Sequence, residues 1–185
     1  MSPLASKPKP NGLRQRLRES VPSITGFVLG AVGWGAAMGL SVQLALWLGI
    51  AAETFRYWQL TILFFAGGLI AWPVAIFLIR FCSLGRSLEV WIAASILFLS
   101  TTTIAITSTT FALIYRSYYV QWHDTALTKL WLIQLVFTTA SALYQFAVIG
   151  LRLYLPIGPL FLLAAALIIT IAGINEAKRR PFSTV

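Results

Sequence analysis

A chain of 185 residues that is 58% hydrophobic and only 10% charged cannot hide that much apolar surface in one water-soluble core, so it calls for lipid. Its net charge of +9 lacks the pattern of a nucleic-acid-binding face, in which Lys and Arg cluster with aromatics on one soluble surface. The charges lie between and outside long apolar runs, where an ionised group avoids the roughly 3 kcal/mol or more that it would cost at the bilayer centre.

Residues 1–22 open with a stretch rich in proline, serine and lysine that has no apolar period, as expected of a mobile basic arm. Within it, Leu13 and Leu17 share one helical face among Arg14, Arg16 and Arg18, a pattern suited to a short helix on anionic headgroups. The apolar run from Ile24 to Ala52 far exceeds the h-region of a signal peptide and reads as a retained span.

Residues 23–175 read as an all-α membrane protein, an antiparallel bundle of five transmembrane helices near 24–51, 57–81, 88–115, 128–150 and 156–174. About 20 helical residues cross a hydrocarbon core of roughly 30 Å. The connections are short, which favours antiparallel neighbours and leaves no room for a soluble domain. Residues 176–185 form a short basic tail.

Trp47, Tyr57 and Trp58 flank the first turn, and Tyr115, Tyr118, Tyr119, Trp122 and Trp131 flank the third. Trp and Tyr favour the membrane interface, so these residues predict an aromatic collar on one side. The basic arm predicts a cytoplasmic N-terminus in the plasma (inner) membrane. Five alternating spans then place the C-terminus with the collar. The charges disagree: a four-span alternative would return Lys178, Arg179 and Arg180 to the cytoplasm. The segment 156–174 is among the least polar in the chain, so the hydropathy reading is followed.

Two patterns stand out as helix-packing or partner-docking surfaces. In the first span Gly26, Gly30, Gly33 and Ala37 recur on one face, with Gly35 and Gly39 nearby; small residues let helix backbones approach and supply van der Waals contact in lipid. In the fourth, Gln134, Thr138, Ser141 and Gln145 fall within roughly 60° of one another, and Arg152 continues the line. A glutamine facing lipid would leave polar atoms unpaired, so this ridge should face protein or water.

The third span holds Ser100, Thr101, Thr102, Thr103, Thr107, Ser108, Thr109 and Thr110, hydroxyls expected to bond back to the preceding helical turn. Cys82 is the one cysteine and His123 the one histidine. Neither a disulfide nor a cysteine-based zinc site is possible within the chain, and His123 with Asp124 lacks the further ligands that zinc needs. The acids sit away from mid-membrane, unlike the buried relays of proton-coupled transporters. No catalytic constellation is present. These features predict a chain without metal, cofactor or enzymatic activity: a non-catalytic subunit or assembly factor whose partners are the lipid bilayer and other membrane subunits or its own copies, with no nucleic acid. The alternative is a small transporter or channel subunit whose fourth span lines a pathway.

Overall fold

A computed structural model describes residues 24–50, 56–155 and 157–179. The basic arm, Glu53, Pro156 and the tail from Arg180 onward lie outside the described residues. The described residues form five α-helices: α1 (Ile24–Trp47), α2 (Tyr57–Ser83), α3 (Leu88–Tyr119), α4 (Lys129–Val148) and α5 (Gly158–Arg179). Short 3-10 turns follow α3 (Val120–Trp122) and α4 (Gly150–Tyr154). All five helical regions are long and apolar enough to cross a membrane, so the chain has the make-up of an all-α, multi-pass integral membrane protein.

Helix ends follow local chemistry. Gly49 and Gly85, just past α1 and α2, hold φ of +66° and +73°, left-handed conformations that a glycine adopts without steric cost. Thr128 caps α4 by accepting a hydrogen bond from the Trp131 amide at 3.1 Å, satisfying one of the donors left over at a helix start. Glu89 in the first turn of α3 and Arg116 in its last complement the helix dipole.

The register of the bundle can be followed from contact to contact. Gln43 Nε2 donates to Thr61 Oγ1 at 2.6 Å, and Gly39 and Gly35 lie over Thr61, Phe65 and Leu69, so α1 and α2 run antiparallel. Gly67 faces Thr107, which sets α3 antiparallel to α2, and Trp34 Nε1 donates to Thr103 Oγ1 at 2.9 Å, which sets α3 parallel to α1. The N-terminal end of α1 therefore shares one end of the bundle with the α2–α3 turn.

The last two helices depart from simple alternation. Ser41 Oγ donates to the carbonyls of Leu153 and Tyr154 at 3.2 and 2.8 Å, and Gly158 lies beside the same hydroxyl. The start of α5 is thus level with Ser41, in the half of α1 toward its C-terminus. From there α5 descends: Gly173 packs on the Trp91 ring, and Arg80 Nη2 meets Glu176 Oε2 at 2.5 Å. Its C-terminal end therefore lies with the N-terminal end of α1, where alternating spans had been expected to put it with the aromatic collar. The reason lies in α4, whose contacts all fall at the other end. Arg116 stacks over the Trp131 ring, His123 meets Thr138, and Phe146 packs on Phe64 and Phe111. The helix starts beside the last turn of α3 and stops at the level of Ser41, so α4 and α5 both run in the same direction.

The core has two parts. One gathers Trp34, Met38, Ile76, Ile79, Trp91, Leu99 and Ile169 from α1, α2, α3 and α5. The other gathers Val42, Ala45, Leu63, Phe64, Phe146 and Leu153, fastening the end of α4 to α1 and α2.

Candidate helix-docking site

The small-residue face of α1 divides three ways. A Cβ at Gly30 would overlap the Trp72 indole, so this glycine is a seat for a ring of α2. A Cβ at Gly33 would meet nothing within 4 Å; Gly33 opens onto a cleft between α1 and α5 that Gly26 and Ala37 also line. The closest backbone approach falls to neighbouring glycines. A Cβ at Gly35 would lie 2.8 Å from the Phe65 carbonyl oxygen, and one at Gly68 would lie 3.1 Å from Gly35 Cα and 3.2 Å from the Trp34 oxygen. Gly35 and Gly68 thus oppose one another across the α1–α2 crossing, where backbone contact replaces the hydrophobic drive that lipid removes.

The α4 ridge is at the other end of the bundle and does not meet the glycine face. Gln134 Oε1 accepts from the Asp124 amide at 2.9 Å. Thr138 donates its hydroxyl proton to the Gln134 carbonyl at 2.6 Å; its oxygen is therefore an acceptor for His123 Nε2, 3.2 Å away, which makes Nε2 the protonated ring nitrogen. Gln145, exposed, donates to Tyr115 Oη at 3.3 Å. Ser141 is exposed on α4, and Arg152, also exposed, belongs to the following 3-10 turn. The ridge therefore ties α4 to the end of α3 and its turn.

Gln134→Leu should lower stability by about 1 kcal/mol, since the Asp124 amide loses its acceptor. Gln145→Leu should cost less, because its bond is longer and water competes for both partners. Thermal unfolding in detergent checks this; stabilisation by both leucines would contradict it.

The α3 hydroxyls satisfy themselves on the preceding turn: Thr101 bonds the Leu97 carbonyl, Thr102 that of Phe98, Thr103 that of Leu99 and Thr107 that of Thr103, at 2.5–2.7 Å. Two of them accept further bonds. Trp34 reaches Thr103, and Tyr154 Oη donates to Thr107 Oγ1 at 2.9 Å. This polar knot joins α1, α3 and the turn before α5. Sequence reasoning found the hydroxyls but not their partners, because spacing along the chain does not show that Trp34 and Tyr154 pass over α3. Among the described residues no three of His, Cys, Asp and Glu group together.

The outward face of α4 is largely apolar. Ala142 and Phe146 are its buried residues, whereas Ile133, Val136, Phe137, Leu143 and Tyr144 are exposed at helical spacing. Carrying the Gly67–Thr107 register along α2 and α3 sets Tyr57 level with Ser117. Tyr118–Trp122 therefore rise past the start of α2 by about 8 Å at 1.5 Å per residue. Thr138 lies beside His123 and Trp131 beside Arg116, so the first half of α4 packs along the end of α3 and its turn. No protein-family model matches the chain, and neither a curated protein nor a solved structure is similar to it.

Proposed function

We propose that this protein is a non-catalytic subunit or assembly factor of a membrane complex, and that the α3–α4 hairpin is where it holds its partner. The observation that supports this is the apolar face that α4 leaves exposed: Leu130, Leu132, Ile133, Val136 and Phe137 are all exposed. A contiguous exposed apolar face is a surface that a partner can cover. Gln134, Thr138 and Gln145 of the polar ridge are engaged within the chain, which argues against a hydrated pathway along α4.

The membrane is the plasma (inner) membrane, and the N-terminus is cytoplasmic in this reading, because the basic arm matches the positive-inside bias. The hairpin then docks on the non-cytoplasmic side.

A double substitution, Val136→Ser with Phe137→Ser, tests the role. Native mass spectrometry of the wild-type protein in mild detergent should show a hetero-complex. The variant should run alone with its unfolding temperature within a degree or two of wild type, since neither side chain is buried. A wild type found as a monomer, or a homo-oligomer untouched by the double variant, would sink the subunit reading and favour the transporter alternative.

A further inference from the structure

We propose that Ser95 of α3 and Thr170 of α5 hold one ordered water molecule between them, in the half of the bundle where α1 begins. The site is independent of the α4 face and of the partner proposed for it. Among the described residues the buried polar side chains are Ser41, Ser83, Ser95, Thr103, Thr107 and Thr170. Ser41, Thr103 and Thr107 have hydrogen-bond partners, whereas Ser83, Ser95 and Thr170 have none. Ser95 is 0% exposed and Thr170 1%, so surrounding solvent or lipid headgroups do not reach them. A hydroxyl within a helix commonly bonds the carbonyl one turn back, as Thr101 and Thr102 also do. Ser95 and Thr170 do not, and each presents its hydroxyl to the interior instead.

Register brings the two hydroxyls into one layer. Gly173 packs on the Trp91 ring, and α3 and α5 run in opposite directions. Ser95 lies four residues beyond Trp91 along α3, and Thr170 three residues before Gly173 along α5. Both therefore stand one turn from that contact on the same side, within about 1.5 Å of each other in height. Trp91, Ser95 and Leu99 recur at a spacing of four, which keeps them on one helical face. Trp91 and Leu99 share a core cluster with Ile169, the chain neighbour of Thr170. The two hydroxyls do not bond each other directly.

The chemistry of the layer selects the occupant. Carrying the Gly67–Thr107 register along α2 and α3 sets Ile79 level with Ser95, so Ile79, Leu99 and Ile169 supply the layer with apolar side chains only. Arg80 is committed to Glu176, six residues past Thr170 and about 9 Å further along α5. A hard metal cation asks for about six or more oxygen ligands, which two hydroxyls do not provide. Water needs two to four polar partners, and Ser95 Oγ with Thr170 Oγ1 provides two. Water also donates and accepts, so it satisfies either hydroxyl whichever way its proton points.

The direct test is a crystal structure of the full chain grown in a lipid mesophase, at a resolution that shows ordered water. A density peak within about 3.2 Å of both Ser95 Oγ and Thr170 Oγ1 is expected. Hydroxyls found instead on the carbonyls of Trp91 and Ala166, or on each other, with no peak between them, would overturn the water. Thermal unfolding in detergent supplies a second readout through Ser95→Ala, Thr170→Val and the two together. Removing either hydroxyl strands the other and should lower the unfolding temperature by about 2–4 °C. The double variant should lose no more than either single one, because no stranded hydroxyl is left. Losses that add would mean two independent sites and would overturn the bridge, as would single variants that unfold at the wild-type temperature.

Discussion

Gly68→Leu is expected to prevent the bundle from folding, whereas Gly33→Leu, on the same small-residue system, should leave it intact. The two glycines differ in what stands opposite. A Cβ at Gly68 already comes to 3.0 Å from Met38 Cγ and close to two backbone atoms of α1, Gly35 Cα and the Trp34 oxygen. A flexible side chain could turn aside, but backbone can yield only if α1 and α2 separate. Overpacking a core by a methylene or two costs about 1–3 kcal/mol, and leucine adds four carbons against a wall. A loss of more than about 3 kcal/mol is a large share of the 5–15 kcal/mol that ordinarily holds a fold together. Lipid gives the separated helices no hydrophobic reason to return, so the lost van der Waals contact has no replacement. Gly33 faces the cleft, and leucine there gains contacts. Size-exclusion chromatography and thermal unfolding in detergent distinguish the two. An unchanged profile for Gly68→Leu would mean that the crossing is looser than the structure has it.

That contrast also marks how far the sequence could be read. The five apolar segments were legible because a helix in lipid must be apolar along its whole length, and hydropathy registers that directly. The segments read near 24–51 and 57–81 became Ile24–Trp47 and Tyr57–Ser83. The need of Gln134 and Gln145 for polar neighbours was legible too, since an amide in hydrocarbon is costly. What hydropathy does not record is depth or direction. Lys129–Val148 is long enough to cross, yet it is paired with the projecting end of α3, and only Asp124, His123 and Tyr115 across the fold reveal this. Nor does spacing separate Gly33 from Gly35. They sit two residues apart, and which of them meets a backbone depends on where α2 passes. The charge pattern held one correct hint of direction, because the ion pair of Arg80 with Glu176 brings the basic end of α5 to the end where α1 begins.

The second large effect concerns which side of the membrane each end occupies. The proposed role needs α4 to stand at the edge of the packed group of α1, α2, α3 and α5, with its apolar face exposed. Each step in that placement rests on a contact already described: Thr61 on Gln43, Thr107 on Gly67, Gly158 on Ser41, Trp91 on Gly173 and Arg80 on Glu176. Together they set α1, α2, α3 and α5 antiparallel in turn, with α4 packed on the end of α3 and reaching the level of Ser41. The most direct measurement is a set of compartment reporters fused before Met1, within the Thr125–Thr128 turn and after Val185, read in intact membranes. Both ends of the chain should report one compartment and the turn the other. A reporter after Val185 that shared the compartment of the turn would mean five alternating crossings and would contradict this placement of α4 and α5.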